Sequence, residues 1–119
     1  MLTTPLHNAV INGNLEMVKL FMKHGADQHI STISNGKTAL MLAAEKLNGS
    51  KILKFLLDSE PESTKHILID KQDDDGNTAT LLAIKSGEHE SSFILLDCGA
   101  NVNIANKNGE KPWNGLPPI

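Results

Sequence analysis

The chain has 119 residues, enough for one small domain or a piece of a larger protein, and a mild net charge of −3. Its 11 basic residues are all lysine and are spread without a basic run, which argues against nucleic acid as a partner. One cysteine, Cys98, excludes an internal disulfide and fits a reducing compartment, and no apolar run approaches the roughly 18 residues of a membrane span.

The start, "MLTTPLHNAV", lacks the basic and apolar stretches of a secretory signal, so a cytoplasmic location is expected, with export by another route left open. Thr4 before Pro5 reads as a helix start. The threonine hydroxyl caps free amides, and proline suits a first turn whose N–H has no partner anyway. A short helix is expected near 5–12. A second follows near 15–24, with Leu15, Val18 and Met22 at helical spacing and Gly25 where it ends. "SNGK" then reads as a hairpin tip.

The same order recurs. Thr38 opens a short helix near 39–47 and a longer one runs near 51–59; Thr78 opens a third short helix near 79–86, followed by one near 89–98 that closes at Gly99. "DDGN" and "KNGE" are the matching tips. Small Ala9, Ala43, Ala44 and Ala83 allow the short helices to approach closely. The aliphatic stripes of the longer helices are core, because such a unit buries its apolar face only by stacking on a neighbour.

The acidic stretch "DKQDDDGNTA" raises the question of calcium. With Gly76 at position 6 of an EF-hand loop, position 1 is Lys71 and position 12 is Leu82, so only Asp73 and Asp75 fall on ligand positions. The stretch is therefore read as an acidic hairpin tip. No metal set emerges from His7, His24, His29, His66 and His89. Cys98 sits at a helix C-terminus, where the dipole disfavours a thiolate, and is expected to be a half-buried small residue. Glu60 and Glu62 flank Pro61 and point to different faces. No nucleophile, catalytic pair or phosphate loop is assembled, so neither a cofactor nor catalysis is expected.

The glycines of "GKTALMLAAE", "GNTATLLAIK" and "GEKPWNG" lie 40 and 33 residues apart, and "TPLHNA" at residues 4 to 9 matches a T-P-L-H-x-A signature in full. With "GNLEMVKLFMKHGAD" and "CGANVNIANKNGEKPW", nearly the whole chain resembles the ankyrin repeat family. The resemblance implies an all-α solenoid with β-hairpin turns. It forms a single domain over 1–119, with repeats at about 4–36, 37–76 and 77–109 and a partial capping repeat at 110–119. His7 alone keeps the family's histidine, a structural residue that bonds neighbouring backbone.

The chain departs from the pattern in three places. Repeat two lacks the Gly-Ala closure and carries about six extra residues between Ser59 and Ile69, where an extra helical turn is expected over about 61–67. That insertion is either a tolerated addition or a contact surface. Repeat three has Thr80, Ser91 and Ser92 where aliphatics belong, so it is expected to pack less well and to fray. "GEKPWNGLPPI" starts a fourth unit and breaks off in prolines. It is expected to cover the end of repeat three, with Trp113 over the edge, whether the array ends there or continues.

The resemblance also implies a concave surface, lined by tips and first helices, that binds another protein. The positions carried over are Ile11 and Asn12; Ser34, Asn35, Lys37, Glu45 and Lys46; Asp74, Asp75, Asn77, Lys85 and Ser86; and Lys107, Asn108 and Glu110. The acidic second tip suggests a partner with a basic patch. The expected protein is monomeric and binds neither nucleic acid nor membrane. It acts either as an interaction module or scaffold, or as a small stand-alone inhibitor, of the immunity type, that occludes an enzyme.

Overall fold

Thr4, Thr38 and Thr78 each accept a bond from the amide three residues on: His7 at 3.3 Å, Met41 at 3.3 Å and Leu81 at 3.2 Å. These bonds satisfy donors that every helix start leaves unpaired. The computed structural model describes residues 3–115. Its helices are α1 (Pro5–Ile11), α2 (Leu15–Lys23), α3 (Ala39–Glu45), α4 (Ser50–Ser59), α5 (Glu62–Asp70), α6 (Ala79–Lys85) and α7 (His89–Asp97), with a 3-10 turn at Pro112–Gly115.

Two layers result. α3 packs between α1 and α6, and α4 packs between α2 and α7. The middle pair is the most enclosed: Ala39, Leu40, Met41, Ala43, Ala44, Leu53 and Leu56 are all 0% exposed. The stack is therefore a helical solenoid of three units, as the repeats require.

His7 fastens the first unit. The Thr4 N–H donates to its Nδ1 at 3.0 Å, which leaves the ring proton on Nε2 as donor to the Ile30 carbonyl at 2.9 Å. Repeats two and three put Met41 and Leu81 in that place, both buried, and rely on apolar contact instead.

The expected β-hairpins are not what connects the units. Among the described residues no strand is present, and each tip is a tight turn closed by two backbone bonds, one between its ends and one from its glycine N–H back to the carbonyl of the first residue. The bonds between the ends run from Thr32 N to Lys37 O, Asp73 N to Asn77 O and Asn106 N to Glu110 O, each 2.9 Å; the glycine bonds run from Gly36 N to Thr32 O and Gly76 N to Asp73 O at 2.9 Å and from Gly109 N to Asn106 O at 3.0 Å. Bonds confined to a single turn do not make a ladder, which needs alternating pairs along two strands.

The insertion in repeat two is larger than one turn. Glu62–Asp70 forms a nine-residue helix that buries Leu68 and Ile69, at 0% and 1% exposure, and packs on α6. Just before it, Glu60 ties three elements together. Its buried carboxylate accepts from Thr64 Oγ1 at 2.6 Å, His29 Nε2 at 2.7 Å and Gln28 Nε2 at 3.1 Å, and Gln28 also donates to the Leu56 carbonyl at 2.9 Å. Burial alone would raise the Glu60 carboxyl, but the bonds from Thr64, His29 and Gln28 and the attraction to His29 hold it below its ordinary 4.5.

Repeat three encloses its polar residues, although Phe93 of α7 is 53% exposed. Thr80, Ser91 and Ser92 are 1%, 1% and 3% exposed. Ser92 Oγ donates to the Glu88 carbonyl at 2.9 Å, whereas Thr80 Oγ1 and Ser91 Oγ find no partner. At the far end Pro112 is buried, while Trp113 is 60% exposed and so does not cover the edge; its backbone N–H donates to the Val102 carbonyl at 3.3 Å. The rest of the expected cap, "LPPI", lies outside the described residues.

Two outcomes are expected. Thr80→Val replaces an unpaired buried hydroxyl with a methyl of similar size and should raise stability by about 1 kcal/mol in urea unfolding; no gain would mean the hydroxyl is solvated. Because the folded pKa of Glu60 is depressed, its contribution is present above 4.5 and is lost as the pH falls through the folded value. Glu60→Gln should therefore melt below the wild type near neutral pH, with the gap narrowing in acid. A gap constant with pH would show that ionisation of Glu60 does not matter.

Candidate protein-binding face

The three tips are joined to one another through backbone. Asp74 N–H donates to the Asn35 carbonyl and Lys107 N–H to the Asp75 carbonyl, both at 3.0 Å. Contact is close enough that a Cβ on Gly76, whose φ is +82°, would lie 2.9 Å from Lys107 N. Side chains hold each turn from within. Asp73 Oδ1 accepts from the amides of Asp75 at 3.0 Å and Asn77 at 2.8 Å, and Asn106 Oδ1 does the same for Asn108 at 3.0 Å and Glu110 at 2.9 Å. Asp73 is thus a turn-former facing its own backbone, and among the described residues no group of three His, Cys, Asp or Glu is placed to hold a metal ion.

Two ion pairs run from tip to helix end along this side of the stack. Lys37 Nζ reaches Glu45 at 2.7 Å, and Lys85 Nζ reaches Glu110 at 3.0 Å. Bonds from Asn106 and Lys85 hold the Glu110 carboxyl below its ordinary range. Beside the second pair lies a groove of about 330 Å³ lined by Leu81, Ile84, Asn108 and Lys111 among others.

The residues carried over from the repeat pattern divide accordingly. Ile11, Asn12, Ser34, Asp74, Asp75, Ser86 and Lys107 are exposed, and none of their side chains bonds to another described side chain. Asn35 and Asn108 are exposed, and Asn35 Oδ1 accepts from the Thr32 hydroxyl. Lys37, Glu45, Lys85 and Glu110 are engaged with one another, and the Lys46 stem lies against Gly13. Asn77 is not on the surface: it is 8% exposed, with its Oδ1 accepting from Asn106 Nδ2 at 2.8 Å. Sequence alignment locates a position on the repeat but not the partner its side chain finds in the next one.

Cys98 departs from expectation too, being exposed rather than half-buried. As the C-cap of α7, it follows the last turn on its solvent side. Sequence reasoning missed Ile33 and Leu47, each 73% exposed beside these positions. A signal was available for the first, since the first tip holds one more residue than the second between its closing partners.

Family comparison agrees with the stack. The model for ankyrin repeats in three copies matches residues 2–67, and the single ankyrin repeat model matches residues 75–107. The chain belongs to the ankyrin repeat family. Such repeats are generally protein-interaction modules and generally non-catalytic. Similar proteins include mouse palmitoyltransferase ZDHHC13, 31% identical over 142 residues that cover 92% of this chain and 22% of the relative. The mouse B-cell lymphoma 3 protein homolog is 34% identical, covering 92% and 24% respectively, and a putative ankyrin repeat protein of fowlpox virus is 32% identical, covering 84% and 13%. The chain thus spans less than a quarter of each of these relatives, one of which bears an enzyme's name. No helix of the described residues is long and apolar enough to cross a membrane.

The packing of the tips gives an ordering of costs. Gly76→Ala meets both a left-handed backbone and the backbone of the next tip, and should cost about 2–3 kcal/mol. Gly99→Ala, at φ +90° with open space around it, carries only the conformational cost of about 1 kcal/mol. Urea unfolding checks the order; equal losses would show that contact between tips adds nothing.

Proposed function

We propose that this protein is a non-catalytic binding module whose partner lies across the tips and the exposed ends of the first helices. The reading divides the chain into repeats at about 4–36, 37–76 and 77–109 with a partial cap after them. The observation that supports it most is the second tip. Asp74 and Asp75 present exposed carboxylates on a strip fixed by backbone bonds, and no cation among the described residues pairs with either. Of the lysines in the row, Lys37 and Lys85 are held by Glu45 and Glu110, while Lys107, whose N–H bonds the Asp75 carbonyl, is exposed on the third tip.

A pair of exposed carboxylates engaged in no ion pair, on a rigid support, attracts a basic patch, speeds encounter and sets register. Its rigidity also limits the ordering cost of binding. The exposed thiol of Cys98 suits a reducing, cytoplasmic setting. Ile11, Asn12, Ser34, Ser86 and Lys107 complete the surface that a partner meets.

Capture from cell extract tests the reading, with Asp74→Asn/Asp75→Asn and an outer-face control, Lys54→Glu, alongside the natural sequence. The acidic-tip variant should keep its fold and lose or slow association, most strongly at low salt. The control should behave as wild type. A partner that binds the acidic-tip variant at the same rate across salt concentrations would overturn this reading.

A further inference from the structure

The same face is chemically lopsided, and the imbalance narrows the class of partner. Among the described residues Ile33 and Leu47 are the most exposed large apolar side chains. Ile33 projects because the first tip closes from Thr32 to Lys37, one residue more than the Asp73 to Asn77 closure of the second. Leu47 projects from the loop after α3, beside Asn48, whose φ of +60° is a left-handed conformation uncommon for a residue other than glycine.

The Lys37–Glu45 ion pair connects tip and helix end, with Ile33 on the tip four residues before Lys37 and Leu47 two residues after Glu45. α3, which lies between them in the chain, is seven residues long, so its ends are about 10 Å apart. Ile11, 40% exposed at the end of α1, extends the apolar end. One tip further on stand the exposed carboxylates of Asp74 and Asp75, which enter no ion pair among the described residues, and the Asn35–Asp74 backbone bond fixes that step.

We infer that the partner segment is cationic and amphipathic, with aliphatic side chains over repeats one and two and lysine or arginine over the second tip. This inference rests on the reading of the tips and first helices as the binding face. An acidic segment would set like charges against Asp74 and Asp75. A wholly polar one would leave Ile33 and Leu47 in water and forgo their burial. The aliphatic end supplies affinity and the acidic tip supplies rate and salt dependence.

Selection of a display library of random 16-residue peptides on the full chain tests this. Enriched peptides should share aliphatic residues flanked on one side by Lys or Arg. For a selected peptide, Ile33→Ser and Leu47→Ser should each weaken binding about tenfold with the salt dependence unchanged. Asp74→Asn/Asp75→Asn should flatten the salt dependence. All these positions are exposed, so circular dichroism should show the fold intact. Enriched peptides that are acidic or lack aliphatic residues would overturn the inference, as would binding indifferent to all four substitutions. Failure to enrich any peptide would overturn the underlying reading of the face as well.

Discussion

Every other feature depends on one constraint: a helix pair of this size buries its aliphatic stripe only against another pair. The middle pair, α3 and α4, has neighbours on both sides, and its inner residues are fully enclosed. Alanines at 39, 43 and 44 let the first helices lie close together. That closeness in turn brings successive tips within backbone hydrogen-bonding distance, which is why Asn35 meets Asp74 and Asp75 meets Lys107. The candidate face is therefore a consequence of core packing.

Charge is distributed along that face by pairing. Lysines and glutamates that reach it from helix ends cancel one another, and asparagine and aspartate side chains at the turn bases face their own amides. This pairing leaves over the carboxylates of Asp74 and Asp75 and, on the next tip, the ammonium of Lys107. Buried polar groups follow the opposite logic. Glu60 gathers three donors, while Thr80 and Ser91 gather none. Repeat three thus keeps its shape at the expense of unpaired hydroxyls, and repeat two gains α5 together with a polar knot that binds it to repeat one.

Much of the fold was legible because its signals are local. A threonine three residues ahead of an amide, a glycine after an aliphatic run and an alanine at the close approach each act within one turn. α5 was only partly legible. Pro61 and Glu62 signal its start, but its length depends on Leu68 and Ile69 finding α6, and that contact is not local. Trp113 was misjudged for a similar reason: its ring could cover the last repeat, but Pro112 is the residue that packs and the indole faces outward.

The sequence by itself determined the repeat, the order of the helices and the positions of the turns, since each follows from capping, backbone conformation and spacing within a single unit. Only the tertiary structure decided which residues of the face are free. Asn77 turned inward to Asn106, Lys37 and Lys85 were neutralised, and Ile33 and Leu47 were left in water. The physical reason is that a side chain's partners in a solenoid lie in the next repeat, about 30 residues away along the chain, where periodicity predicts a neighbour but not what bonds to it.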